Sequence, residues 1–294
     1  MPLPHPVTGQ MFPSPVPPGT GWPGDPASAT TPVAFDAADV LRLAASTDDV
    51  AEVCAAMSVC HACPRLVKWR EDIAEVKRAS FADQPYWGRP IAGWGDPDPG
   101  VLIIGLAPAA NGGNRTGRIF TGDRSGDWLF GSLHRVGLAV QETSEHAGDG
   151  QRLVAARMVA TVRCAPPDNK PTVEERDACA PWLLKELSLV QESVRAVVCL
   201  GSYGWDAALR SFRTLGHAVP RPKPKFGHGA EAVITSPVGQ ETTVLGCYHP
   251  SQQNTFTGKL TEAMLDAVLA RAAQLGADEG VADRLGDGVE DWSS

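Results

Sequence analysis

The chain has 294 residues, room for one large or two small domains, and 43% of them are apolar, an ordinary fraction for a soluble globular core. No run of about 18 apolar residues occurs and no basic segment followed by an apolar one opens the chain, which excludes a helical membrane span and a secretory signal and makes the cytoplasm the expected compartment. The net charge of −8 disfavours a nucleic-acid partner, but residues 1–59 hold six acidic side chains and one basic, residues 278–294 hold the same, and the 24 basic and 22 acidic side chains between them are permissive for DNA.

Residues 1–35 are rich in Pro, Gly, Ser and Thr without periodic apolar spacing, the composition of a disordered tail. From 36 to 277, helical and strand-like runs alternate as in a single α/β domain on a mainly parallel sheet. Helical spacing covers 38–57. A strand-like run at 101–107 leads into a Gly-rich segment, followed by helical spacing over 126–136 and a second strand at 158–162. A helix is predicted over 173–191, where Thr172 followed by Glu175 fits a capping box. A strand at 196–200, a helix over 203–212, a Pro-rich basic loop at 214–230, a strand at 243–248 and a helix over 259–275 complete the domain. The last 17 residues, acidic and Gly-rich, are expected to be a second disordered tail.

Three of the four strands end in polar or Gly-rich segments, 107–118, 163–169 and 249–254. Ligands of open α/β sheets bind beyond the carboxyl ends of the strands, so this edge is the expected active site. Glycines 112, 113 and 117 beside Arg115 and Arg118 could let backbone amides approach phosphates, and Arg221, Lys223, Lys225 and His228 could add contacts or form only a solvated basic loop.

Of seven cysteines, Cys60 and Cys63 form a C-x2-C pair and Cys164 and Cys179 a C-x14-C pair. Cytosolic thiols stay reduced, so four of them suit zinc or an iron-sulfur cluster, and spacing does not choose between the two; Cys164 and Cys179 could equally be small buried hydrophobes. Cys54, Cys199 and Cys247 lie in apolar runs and read as core.

Taken in order, these segments resemble the family 5 uracil-DNA glycosylases. The motifs are Gly-Leu-Ala-Pro-Ala-Ala-Asn-Gly-Gly-Asn-Arg-Thr-Gly-Arg at 105–118, Phe-Thr-Gly-Asp at 120–123, Val-Arg-Cys-Ala-Pro-Pro-Asp-Asn-Lys-Pro-Thr at 162–172, and His-Pro-Ser-Gln-Gln-Asn-Thr at 249–255 with Thr-Gly at 257–258. The likeness spans roughly residues 60–275 and implies a three-layer α/β/α sandwich with a short, mainly parallel sheet. It also implies a [4Fe-4S] cluster on Cys60, Cys63, Cys164 and Cys179, more a structural clamp than a redox centre. The implied activity is monofunctional excision of uracil from double-stranded DNA by a monomer, leaving an abasic site. The wider superfamily usually has a polar residue shortly after the leading Gly of the first motif, where this chain reads Leu106-Ala107-Pro108, and family 4 has a uracil-reading Asn where this chain has Ala160. Other deaminated or damaged bases, such as hypoxanthine or ethenocytosine, therefore enter the expected range.

Cleaving an N-glycosidic bond in DNA requires extruding the base, an aromatic surface to receive it, an anion near the sugar and a donor to the departing base. The resemblance assigns Phe120 to the aromatic surface, with Ala107, Pro108 and Ala109 as further base contacts. Asp123 supplies the anion and orients water, Asn169 orients water or grips the base, and His249 is the donor. Gly112, Gly113, Asn114, Arg115, Ser251, Asn254 and Thr255 are the expected DNA contacts. The plainer readings are a helix N-cap for Asp123, a turn residue for Asn169 and a buried, hydrogen-bonded imidazole for His249. An iron-sulfur electron carrier or a noncatalytic lesion binder are the alternatives at the level of the whole protein.

Overall fold

The computed structural model describes residues 1–277. In chain order the elements are β1 (Leu3–Pro4), β2 (Met11–Phe12), α1 (Ala37–Ala45), α2 (Val50–Ser58), α3 (Pro64–Val76), β3 (Trp94–Gly95), β4 (Val101–Gly105), α4 (Gly113–Thr116), α5 (Arg124–Arg135), β5 (Ala156–Ala160), α6 (Val173–Val190), β6 (Ala196–Leu200), α7 (Ser202–Thr214), β7 (Glu231–Thr235), β8 (Glu241–Cys247), α8 (Gln252–Phe256) and α9 (Glu262–Ala277). The main sheet has six strands in the order β3-β5-β4-β6-β8-β7. Its four inner strands run parallel, and the two edges, β3 and β7, are antiparallel to their neighbours.

Alternation along the strands builds the layers. Val101 and Ile103 of β4 point to one face, with Leu129, Phe130 and Leu133 of α5 and Leu265 and Leu269 of α9. Leu102 and Ile104 point to the other, with Leu183 and Leu187 of α6 and Trp205, Leu209 and Phe212 of α7. Strands covered on both faces are rich in apolar residues, and the apolar stretches of the inner four, unbroken in β4 and β6, make them visible in the sequence. The expected sandwich is therefore the observed one. No helix among the described residues is long and apolar enough to cross a membrane.

Local chemistry sets the helix boundaries. Thr172 and Glu175 close the expected capping box at the start of α6. The single helix expected over 38–57 is two, because Asp49 turns extended and caps α2 by accepting from Glu52 N at 2.8 Å. Pro64 stands in the first turn of α3, a helix that its mostly polar sequence conceals.

Residues 1–35 are not a disordered tail. β1 and β2 pair in antiparallel fashion, and Phe12, Val16 and Trp22 bury in the same core cluster as β4 and α5. Asp25 makes a two-pronged ion pair with Arg89 at 2.9 and 3.0 Å, both side chains almost fully enclosed. Phe12, Val16 and Trp22 of this segment are buried while Val7, Met11 and Phe35 stay exposed, and Phe12 and Val16 each contribute roughly 1.5–3 kcal/mol by leaving water. Average composition does not reveal that three buried side chains anchor the segment. The expected acidic tail at 278–294 lies outside the described residues.

Candidate active site

The loops after β4, β5 and β8 meet at the carboxyl edge of the sheet around a pocket of about 480 Å³. Ala107, Pro108, Ala109, Phe120, Asp123, Asn169, His249 and Ser251 all line it. The sequence did not single out Leu106, Ile119, Arg124, Ser125, Gln252 and Gln253, which complete the wall. Leu106, Gln252 and Gln253 lie within the quoted motifs and Ile119, Arg124 and Ser125 border them, so the signal was position in or beside a motif rather than any chemistry of their own.

Phe120 takes a positive φ of 50°, a strained backbone for an aromatic residue, and this turns its ring over the end of β4. Gly105 makes room for it, since a Cβ there would come within 2.8 Å of the ring. The imidazole of His249 lies 5.8 Å from the Phe120 ring, centroid to centroid, tilted by 40°. The two rings thus sit together at one end of the pocket. Burial holds the His249 pKa down at about 4, so the imidazole is neutral at physiological pH and carries one N–H. Asn254 Nδ2 donates to the His249 carbonyl at 2.8 Å and fixes the loop that carries the ring. Asn254 is therefore seen holding His249, a role the sequence reading did not give it.

Asp123 is both helix cap and pocket wall. One carboxylate oxygen accepts from Gly126 N at 3.0 Å and caps α5, while the other faces Gly112, where any Cβ would collide with it. Burial raises its pKa against the opposing pull of the capping amides and of Arg115. Asn169 sits at the pocket rim, exposed, in the left-handed region with φ 55° next to Asp168 at φ 53°. Two such residues in succession fix how this turn presents its side chains.

The glycines also have packing duties, and the Arg115 side chain is engaged within the protein. Gly113 packs against Pro108, and Gly117, at φ 79°, lies beneath the Trp22 indole. Arg115 is buried, donates to the carbonyls of Asn111 and Gly122 and to Gln84 Oε1, and lies 4.0 Å over the Phe81 ring. Asn114 is fully buried and donates to the Arg70 carbonyl. Both side chains are turned inward on the short helix α4 and shape the loop. Arg118 is likewise enclosed against Asp149 and Ser144. Ser251, which lines the pocket, and Thr255 of α8 are both half-buried, with Thr255 Oγ1 donating to the Ser251 carbonyl. In the basic loop, Lys223 pairs with Asp206 and His228 Nδ1 accepts from Tyr248 N, while Arg221 and Lys225 are exposed.

Behind the loop after β5, Cys60, Cys63, Cys164 and Cys179 line one small enclosed cavity with Leu66, Val162 and Trp182. Cys60 follows α2, Cys63 caps α3, Cys164 follows β5 and Cys179 is within α6, so the two pairs do meet in space. No three His, Cys, Asp or Glu side chains among the described residues are close enough to hold a single ion. Arg70 Nη1 donates to Cys164 Sγ at 3.0 Å. Arg70 Nε and Nη2, Arg163 Nε and Nη1 and Trp182 Nε1 are buried donors with no acceptor. Desolvation pushes the Cys63 thiol up to about 12 in the absence of any bound group. Cys54, Cys199 and Cys247 are buried apart from this cavity, as core.

A family model described as the uracil DNA glycosylase superfamily matches residues 92–273. A type-5 uracil-DNA glycosylase of Mycobacterium tuberculosis is 55% identical over 271 residues, covering 92% of this chain and 98% of its own. Another from Thermus thermophilus is 47% identical over 219 residues, 74% of this chain and 94% of its own. A type-4 uracil-DNA glycosylase of Pyrobaculum aerophilum is 31% identical over 162 residues, 55% of this chain and 71% of its own. The family match spans the sheet and every loop of the pocket, the type-5 likeness runs nearly the full length of those relatives, and the chain belongs to the uracil-DNA glycosylase superfamily, among its type-5 members.

Proposed function

We propose that this protein excises uracil from double-stranded DNA by hydrolysis of the N-glycosidic bond, as a monomer in the cytoplasm, leaving an abasic site. The observation that carries the reading is the meeting of Phe120, Asp123 and His249 around one pocket beyond the strand ends. The extruded base enters beside Phe120 over the Ala107–Ala109 backbone. As the bond from sugar to base breaks, positive charge grows on the sugar and negative charge on the base. Ionised Asp123 stabilises the first and orients the attacking water, with Asn169 at the rim available to hold it. Neutral His249 donates its N–H to the second, and because its imidazole has no charge to begin with, it stabilises the departing anion by hydrogen bonding rather than by giving up a proton outright. Ser251, whose carbonyl accepts from Asn254 N, and Thr255 are contacts for the DNA backbone. Incubation of the protein with a duplex containing one uracil, followed by alkali, tests the reading; the strand is expected to break at that position, and an intact strand under enzyme excess would sink it.

The pocket is roomier than a pyrimidine needs, and neither Ala107 nor Ala160 offers a polar group to read the uracil edge. The substrate range is accordingly extended to hypoxanthine and ethenocytosine. A panel of these bases in matched duplexes tests this, and strict uracil selectivity would overturn it.

Cys60, Cys63, Cys164 and Cys179 are assigned as ligands of a [4Fe-4S] cluster. Four thiols on one cavity, together with five unpartnered donors on Arg70, Arg163 and Trp182, fit an anionic iron-sulfur group, whose sulfurs accept such bonds. When bound, the group cross-links the start of α3, the end of β5 and the middle of α6 and takes no part in bond cleavage.

A further inference from the structure

A groove of about 610 Å³ adjoins the base pocket, and the two share Asp123, Arg124 and Asn169 as a common wall. Its far side is built by Trp69 of α3, Arg78 and Phe81, none of them in the segments that carry the family resemblance. The volume suits a nucleotide-sized ligand. Phe81 is fixed in place by the Arg115 guanidinium at 4.0 Å, and Trp69 is half-buried with its indole N–H enclosed and without an acceptor. Arg78 and Arg124 are exposed at the rim and make no ion pair among the described residues, so they are open to phosphates. The acidic groups of the groove are Asp123, Asp127 and Asp168, which repel a phosphate but can accept from the exocyclic amine of a base.

We infer that this groove is a second nucleotide subsite, in which the base next to the excised one on the damaged strand leaves the stack and lies against Trp69, with its flanking phosphates at Arg78 and Arg124. The inference rests on the glycosylase reading for the position of the extruded base. A base on an aromatic side chain is sequence-tolerant, and truncating such a side chain costs roughly five- to a hundredfold in binding. The shared wall makes the two occupants sequential nucleotides, since the spaces meet at Asp123, where the sugar of the excised base must sit.

The test couples a change in the protein with a change in the DNA. Duplexes with a single uracil opposite guanine carry, on its 5′ or its 3′ side, either an intact nucleotide or a tetrahydrofuran abasic analogue. Affinity and single-turnover excision are measured for the wild type and Trp69→Leu, which keeps apolar bulk and loses the ring, with Trp69→Phe as the conservative variant. The expected result is that the analogue on one side alone weakens the wild type at least fivefold relative to its effect on Trp69→Leu, with Trp69→Phe restoring most of the coupling. Any effect of the analogue on duplex stacking is common to all three proteins and cancels. Absence of coupling on both sides, in both readouts, overturns the subsite. Coupling in affinity without any excision would remove the reaction and retain the subsite, and no binding to any duplex would remove both. Should Trp69→Leu fail to fold, Trp69→Met, which also lacks a ring, takes its place, and an equal response of that variant and the wild type to every analogue overturns the proposal.

Discussion

Because Asp and Asn cap helices about equally well, Asp123→Asn keeps the bond from Gly126 N to the side chain while removing the charge near the sugar. Loss of excision in this variant therefore reports on chemistry and not on the stability of α5. Single-turnover excision is expected to fall by about 10²–10³, with affinity for uracil-containing DNA changed only a few-fold; near wild-type rates would move the water-orienting role to another group. The pH profile carries the same assignment. Asp123 acts ionised, and burial lifts its pKa above the ordinary 3.8, so excision should rise with pH through a midpoint above that value, and the Asn variant should lose this limb. His249 acts neutral and stays so down to about pH 4. Hence no inflection belonging to it is expected near pH 6.5, and a midpoint there that vanishes in His249→Asn would show that a charged imidazole is used instead.

At the scale of elements, the cysteine cavity is where α3, α6 and the end of β5 are held together. Cys164→Ala should abolish the broad visible absorbance of cysteine-ligated iron and sulfide and remove the sulfur that accepts from Arg70 Nη1, leaving that donor only the Cys60 carbonyl, which costs about 1–3 kcal/mol. Iron and sulfide analysis beside a melting curve checks both, and a colourless wild type containing zinc would overturn the cluster. The elements differ in how far the sequence exposes them. β4 and β6 are apolar throughout because both faces are covered, β5 carries Arg157 paired with Glu186 of α6, and β8 opens on Glu241, yet each keeps an apolar stretch that was legible, as were α5, α6 and α9 from their spacing. β7 was not, since this edge strand alternates exposed and buried residues and opens on Glu231. α3 was hidden by its polar face, and with it Trp69, so the groove beside the pocket had no trace in the motifs. In the site, the residues of the strand-end loops were legible because they cluster in motifs. The inward turn of Asn114 and Arg115 was not, because whether an arginine on a Gly-rich loop faces DNA or Gln84 depends on the geometry of one turn of helix.

For the molecule as a whole, the N-terminal arm ties the first strand pair to the loop that forms the pocket. Trp22 packs on Gly117, Ser14 Oγ accepts from Tyr86 N, and the Tyr86 hydroxyl donates to Asn111 beside the active-site cleft. At the centre of this junction two imidazoles, His5 and His146, lie 4.4 Å apart against Trp22, and neither nitrogen of His146 has a partner. Burial lowers both pKa values, that of His146 to about 3, with the charges of Arg115 and Arg118 and a protonated His5 acting in the same direction. In the unfolded chain each would take up a proton near 6.5, so as pH falls below that value the unfolded state gains protons that the folded state does not. Stability supplied by the neutral pair is thus complete above about 6.5 and declines toward 3, by roughly 1.4 kcal/mol per pH unit for His146 alone. The expected outcome is a melting temperature several degrees lower at pH 5 than at pH 7.5, and a clearly smaller difference in His146→Phe, which keeps the aromatic packing and has no proton to gain. An unchanged slope in that variant would mean that the arm stays docked with a protonated imidazole inside it, and that its hold on the pocket rests on Trp22 and the Asp25–Arg89 pair instead.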